Sequence, residues 1–200
     1  MTHYRRQQLR QTVVAGLHTL LHGGLEARDA VLKSPMEQGV NASYDRLAEL
    51  LNEDLSREYQ AIISYVVYSQ VLSGAQYMDI AAQLELHAKQ ELDHALIISR
   101  QIDYLGKMPA VTPKPVRTSK DSKDMLRFDL DNENETVRQY RDRVRQCEAL
   151  GEFAMAEQIR QILVQEQDHQ IDLATALGVE VPDVSRRRDG YPARRLASGR

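Results

Sequence analysis

One glutamate recurs at a fixed place on each of four amphipathic segments, and that recurrence limits what the chain can fold into more than any other feature. Glu58 and Glu91 stand 33 residues apart, and so do Glu133 and Glu166. The second pair follows the first at an offset of 75, and the same offset carries His94 onto His169 and Tyr65 onto Tyr140. The sequence therefore reads as two copies of one hairpin, each with a Glu on its first arm and Glu-x-x-His on its second.

Glycine and proline set the arms apart. Ser73-Gly74, the stretch Gly106 to Pro115, Gly151 and then Gly178 with Pro182 interrupt runs whose apolar residues recur at steps of three and four, the period of a helix with one buried face. The spacing predicts helices over about 43–73, 75–105, 122–150 and 152–177. The first two are joined by a very short link, as are the last two, so each pair folds back on itself. The connection between the second and third helices is longer and holds Pro109, Pro113 and Pro115. A segment of that length can run the whole bundle and set the third helix parallel to the second. The expected fold is all-α, an antiparallel four-helix bundle with one long crossover. Residues 1–40 are read as an N-terminal extension, with Val13, Val14, Leu17, Leu20 and Leu21 marking an extra helix, 41–178 as the bundle domain, and 179–200 as a mobile Arg-rich tail.

The inner stripes run Leu51, Leu55, Glu58, Ile62, Tyr65; Leu84, His87, Glu91, His94, Ile98; Leu126, Leu130, Glu133, Val137, Tyr140; and Ile159, Ile162, Glu166, His169, Leu173. Each places a carboxylate where a core residue belongs, and none of these positions is lysine or arginine. Unpaired ionised groups removed from water cost several kcal/mol each, so four that converge call for compensating cations. A pair of divalent metal ions supplies the charge and accepts imidazole nitrogen too. Glu and His at i and i+3 share a helix face, and two such pairs with two further glutamates form the donor set of a carboxylate-bridged dinuclear site in a helical bundle. The candidate metal ligands are Glu58, Glu91, His94, Glu133, Glu166 and His169. On the third helix Asp129, Asp131, Glu133 and Glu135 crowd together, and only the 33-residue spacing selects Glu133, with Glu135 as the fallback. His87 has Ile162 as its counterpart and reads as a core histidine ahead of an extra ligand or a base beside the site.

Bulk composition narrows the function. A net charge of −3 gives no global affinity for nucleic acid or membrane surfaces. A single cysteine, Cys147, excludes an internal disulfide and a cysteine-bound metal cluster and suits a reducing cytoplasm. No apolar run approaches the ~18 residues of a membrane span. Arg5-Arg6 stands ahead of TVVAGLHTLL, but His18 interrupts that stretch and no small-residue cleavage site follows, so a cytoplasmic location is expected over export. His18 and His22, one turn apart, are explained equally by a surface metal or by an amphipathic helix packing on a neighbour. Arg186, Arg187, Arg188, Arg194 and Arg195 could grip the phosphates of DNA, but negative charge overall and scarce aromatics favour a solvated end.

With these residues in place, the chain resembles the ferritin-like superfamily, most closely the bacterioferritins, over residues 43 to 177, with a local likeness at DMLRFDL, residues 124–130. The resemblance implies that Glu91 and Glu166 bridge two iron ions, that Glu58 and Glu133 are terminal carboxylates, that His94 and His169 each bind one metal, and that Tyr65 is a catalytic tyrosine beside the site. It implies ferroxidase activity, Fe(II) being oxidised by O2 or H2O2, and mineral storage inside a closed homo-oligomeric shell of 12 or 24 subunits. Manganese is an alternative metal, since hard oxygen donors accept either. Three departures shape the expectation. Leu92 stands where that family has its haem-ligating methionine, so haem is not predicted. Leu86 and Gln90 stand where its inner-surface iron site has His and Asp. The Arg-rich tail replaces a short fifth helix and tilts the reading toward the twelve-subunit Dps-like shells, although a lone Cys147 does not match the cysteine pair many of those carry. Rival readings are a peroxide-consuming di-iron or di-manganese enzyme and a DNA-protecting Dps-like protein.

Overall fold

The computed structural model describes residues 35–184. The candidate extra helix, Arg5-Arg6, His18 and His22, and the tail arginines lie outside the described residues. The chain divides into two compact units, Met1–Arg46 and Leu47–Arg200, and the second contains the whole internal repeat. Four long helices, α1 (Pro35–Val71), α2 (Met78–Tyr104), α3 (Ser122–Leu150) and α4 (Phe153–Leu177), are accompanied by a short 3-10 turn at Ala75–Tyr77. There is no strand among the described residues, and none of their helices is long and apolar enough to cross a membrane.

The helix limits follow local chemistry. α3 begins where the Asp121 side chain accepts hydrogen bonds from the amides of Lys123 and Asp124 at 2.7 and 3.2 Å, satisfying two of the donors a helix start leaves unpaired. It ends at Gly151, whose φ of 83° only glycine adopts without strain. Gly151 N–H then bonds to Glu148 O and Glu152 N–H to Cys147 O, the paired closure that terminates a helix sharply. Gly178 closes α4 in the same way. α1 departs from expectation by starting at Pro35 instead of near 43. The apolar repeat fades on that side of Leu47, while proline is favoured at a first helical position because its missing N–H has no partner there in any case.

Cross-helix contacts give the topology. Along α1 and α3, Asp54 meets Arg143, Glu58 meets Tyr140 and Tyr65 meets Glu133, so the two helices are antiparallel. Along α2 and α4, His87 meets Asp172, Gln90 meets His169, His94 meets Gln165 and Gln101 meets Gln158, again antiparallel. The segment from 105 to 121 follows α1 along its length. Asn52 brackets it through Met108 O and Ala110 N, Lys114 N–H bonds to Ser56 O, Gln60 to Pro115 O, and Tyr68 to Arg117 O. This is the long crossover, and α2 and α3 are parallel in consequence.

Two apolar blocks fill the interior. One gathers Leu47, Leu51, Leu55, Ile98, Ile102 and Ile159; the other gathers Leu84, Leu126, Leu130, Leu173 and Leu177 with Tyr68. Each fully buried aliphatic side chain contributes about 1.5–3 kcal/mol. Between the blocks lies a polar layer, and that layer contains the repeated glutamates.

Candidate metal centre

The six side chains singled out by the repeat meet in this layer. α1 supplies Glu58, α2 supplies Glu91 and His94, α3 supplies Glu133, and α4 supplies Glu166 and His169; each is 2% exposed or less. His94 Nδ1 lies 2.9 Å from Glu91, 3.1 Å from Glu166 and 3.4 Å from Glu58. His169 Nδ1 lies 3.0 Å from Glu91 and 3.4 Å from Glu166. Two overlapping sets result, Glu58, Glu91, His94 and Glu166 on one side and Glu91, Glu133, Glu166 and His169 on the other, with the donor atoms of each set within 4.8 Å of one another. Glu91 and Glu166 belong to both sets.

The electrostatics of the cluster are strained. Burial, reinforced by the charges of Glu166 and Glu91, raises the carboxyls of Glu58 and Glu133 well above their usual range. Burial also pushes Glu91 upward, but close contacts with His169 and His94 outweigh it and hold that carboxyl below its usual range. Glu166 is lowered likewise, its contacts with His169 and His94 overcoming burial and the charge of Glu91. Burial lowers both histidines, yet contacts with Glu166, Glu58 and Glu91 raise His94 strongly, and those with Glu166 and Glu91 raise His169 to about 9. Among the described residues, the raised imidazoles of His94 and His169 are the source of positive charge within this cluster. Even so, Glu58 Oε2, Glu91 Oε1, both Glu166 oxygens and His169 Nδ1 have only these shared ion-pair contacts and no well-directed hydrogen bond, and Glu133 Oε2 has no hydrogen bond either. Buried polar atoms are almost always paired, and so many orphans at one point fit a donor set shaped for cations.

Around these six, the repeat continues. Tyr65 O–H donates to Glu133 and Tyr140 O–H donates to Glu58. Burial and the adjacent carboxylates, Glu133 for Tyr65 and Glu58 for Tyr140, push both phenols well above their usual range, so both stay protonated donors. Glu135, the fallback on α3, stands apart; its carboxylate is 47% exposed and bonds to Arg138 and Gln139. His87 is buried, stacks on His169 with ring centroids 4.0 Å apart, and bonds through Nε2 to Asp172 at 3.2 Å, leaving Nδ1 without a partner. Leu92 and Leu86 are exposed, Leu92 offering no ligating atom. Cys147 is buried within the apolar block around Leu51, where burial lifts its thiol to about 11.

Sequence reasoning gave no role to three buried ionisable groups. Asp54 and Asp129 are each at most 1% exposed, and so is Arg143. Asp54 and Asp129 differ by the same offset of 75, a signal that was available. Arg143 is the next stripe position after Tyr140, yet it does not neutralise the glutamates, because it is spent on a two-pronged bond to Asp54 at 2.6 and 3.1 Å. A groove of about 410 Å³ between α1, α3 and the crossover is lined by Arg57, Gln60, Lys114, Asn132, Thr136 and, among others, Glu133.

Comparison with known proteins agrees with this geometry. The family model for the ferritin-like domain matches residues 48–180. A bacterioferritin of Brucella melitensis is 26% identical over 142 residues, covering 68% of this chain and 88% of the relative. Among solved structures, a ferritin-like di-iron-carboxylate protein from Bacillus anthracis is 30% identical with a TM-score of 0.65, covering 68% of this chain and 97% of that one. A dodecameric thioferritin from Bacteroides fragilis, described as bacterioferritin-related, is 25% identical with a TM-score of 0.63, covering 71% and 93%.

Proposed function

The chain belongs to the ferritin-like domain family, and from that premise we propose that it is a ferroxidase, oxidising Fe(II) to Fe(III) at a di-iron centre for iron storage or detoxification. The carrying observation is the pair of overlapping buried donor sets that share Glu91 and Glu166. Two iron ions held there would supply paired one-electron redox steps, so that oxygen or peroxide is reduced by two electrons at once.

The chain's own groups have distinct tasks. Glu91 and Glu166, common to both donor sets, would hold an ion of either set. Glu58 and Glu133 are the terminal carboxylates, each aimed by a phenol, Tyr140 and Tyr65. His94 and His169 would give one nitrogen each, Nδ1, which must be unprotonated to do so. Tyr65 is the proposed catalytic phenol: it touches the ligand Glu133, and its ring stands edge-on to His169 at 6.0 Å and to His87 at 5.4 Å. The apolar blocks on either side exclude water. Access runs through the groove that Glu133 helps to line.

Assembly is part of the proposal. Ile63, Val66, Val67 and Val71 form an exposed apolar stripe on α1, and Leu92 and Leu96 form another on α2, the kind of surface that a partner subunit covers. A closed homo-oligomeric shell of this chain, with twelve subunits favoured over 24, would cover them, as the dodecameric relative illustrates. A reducing cytoplasm suits the lone buried Cys147.

The donor set is hard enough to take manganese, which keeps a peroxide-consuming reading open to the same test. Metal analysis with stopped-flow Fe(II) oxidation under O2 and under H2O2, for the wild type and Glu58→Ala, decides between them. We expect two irons per subunit and a rapid phase that Glu58→Ala abolishes; equal rates in the two proteins refute the assignment.

A further inference from the structure

Gln90 and Gln165 immediately precede the two shared glutamates, and they too differ by the offset of 75. Each reaches out of its own hairpin. Gln165 Oε1 on α4 lies 2.6 Å from Nε2 of His94 on α2, and Gln90 Oε1 on α2 lies 2.9 Å from Nε2 of His169 on α4. A carboxamide oxygen only accepts, so each imidazole must carry a proton on Nε2. The neutral ring then presents its lone pair from Nδ1, and Nδ1 is the atom of both histidines that points into the carboxylate cluster.

We propose that Gln90 and Gln165 are crossed positioning residues: each fixes the tautomer and ring orientation of the metal-binding histidine contributed by the other hairpin. This rests on the metal reading above and adds to it a specific wiring. Neutral amides suit the place. Four carboxylates and two divalent ions already balance, and an acidic residue at 90 or 165 would add charge in a buried layer, whereas an amide accepts the same bond without it. The crossing also ties the two copies of the hairpin together, since Nε2 of each histidine is met by a residue of the other half.

The test uses the full-length, metal-free protein and anaerobic Co(II), whose binding is read from its visible absorption without any turnover. Gln165→Leu should weaken one of two cobalt ions by about 10–100-fold, the usual effect of removing a group that orients a ligand, and Gln90→Leu should weaken the other. Gln165→Leu should add nothing in a His94→Ala background and act at full strength in a His169→Ala background. Gln165→Glu and Gln90→Glu keep an acceptor and should restore binding relative to leucine. Where leucine prevents folding, asparagine, one methylene too short to reach, replaces it. Unchanged cobalt affinity in the leucine variants overturns the proposal, as does coupling of Gln165 to His169 instead of His94, or glutamate as weak as leucine. A wild type that takes up no more cobalt than Glu91→Ala refutes the metal reading itself, a separate and recognisable failure.

Discussion

Asp54 and Asp129 hold equivalent places in the two hairpins, one turn from Glu58 and Glu133, yet their surroundings differ. Asp54 is gripped by Arg143 through two bonds and by Arg57. The position equivalent to Arg143 in the first hairpin is Tyr68, whose hydroxyl turns away to Arg117 O, and Asp129 is left with Oδ2 unpaired. Similarly, His87 abuts His169 while its counterpart Ile162 is an ordinary core residue. The six donors and their phenols and amides thus obey the repeat, and the layer beyond does not. Symmetry is retained among the six clustered donors and the groups that touch them, and is lost in the layer that packs around them.

The sharpest way to break this comparison is to remove the guanidinium. Arg143→Ala leaves Asp54 buried with Arg57 alone, and breaking a buried ion pair typically costs about 3–5 kcal/mol. Tyr68→Phe, the equivalent change in the other half, should cost about 1 kcal/mol for one hydrogen bond. Urea unfolding of the metal-free chain at fixed protein concentration measures both; equal losses would mean that Arg143 is no special anchor.

The aspartates themselves should respond with opposite signs. Asp54→Asn weakens a bond to two guanidinium groups and destabilises. Asp129 is raised well above the usual carboxylate range by burial, with the Ser64 hydroxyl beside it opposing only in part. A group whose folded value is raised favours folding while protonated and loses that advantage as pH rises past the unfolded value, near 3.9. Asp129→Asn should therefore stabilise at neutral pH, on the scale of about 1–3 kcal/mol for an unsatisfied buried group, with the gain vanishing below about pH 4. A loss at pH 7 would show that the ionised Asp129 is wanted.

Between the phenols, stability should not discriminate. Tyr65→Phe and Tyr140→Phe each remove one buried hydrogen bond to a glutamate, worth about 1 kcal/mol. Oxidation should discriminate: Tyr65→Phe slows the rapid phase more than Tyr140→Phe, because only Tyr65 is also packed against His87 and His169. Equal rates would reduce Tyr65 to an aiming group like its twin.

Much of this was legible because both the helical period and the repeat offset are sequence properties. The 33-residue spacing picked Glu133 over Glu135, and the structure sets the first in the cluster and the second at the surface. The short links and the proline-bearing connection predicted which helices run parallel. The early start at Pro35 was not legible, since no apolar stripe marks that turn. The Arg143–Asp54 pair was missed because a lone arginine on a stripe reads as a surface residue until its partner is known, 89 positions away. Gln90 was visible only as a departure from the bacterioferritin pattern; its role depends on α4, which no property of its own helix reveals.

The smallest effect should come from making the halves alike at their most conspicuous mismatch. His87→Ile copies Ile162 into the first hairpin. The imidazole is pushed down to about 4 by burial, with His169 adding to the effect against a partial pull from Asp172, so it is neutral at physiological pH and gives the centre no charge. Isoleucine removes the orphaned Nδ1 and its desolvation penalty but forfeits the bond to Asp172 and the stack on His169. The two changes oppose each other, and the net should stay within about 1 kcal/mol. Cobalt stoichiometry should remain at the wild-type value. Loss of a bound ion in His87→Ile would make this histidine a ligand after all, and the centre would then be asymmetric in its inner donors as well as in the layer that seals it.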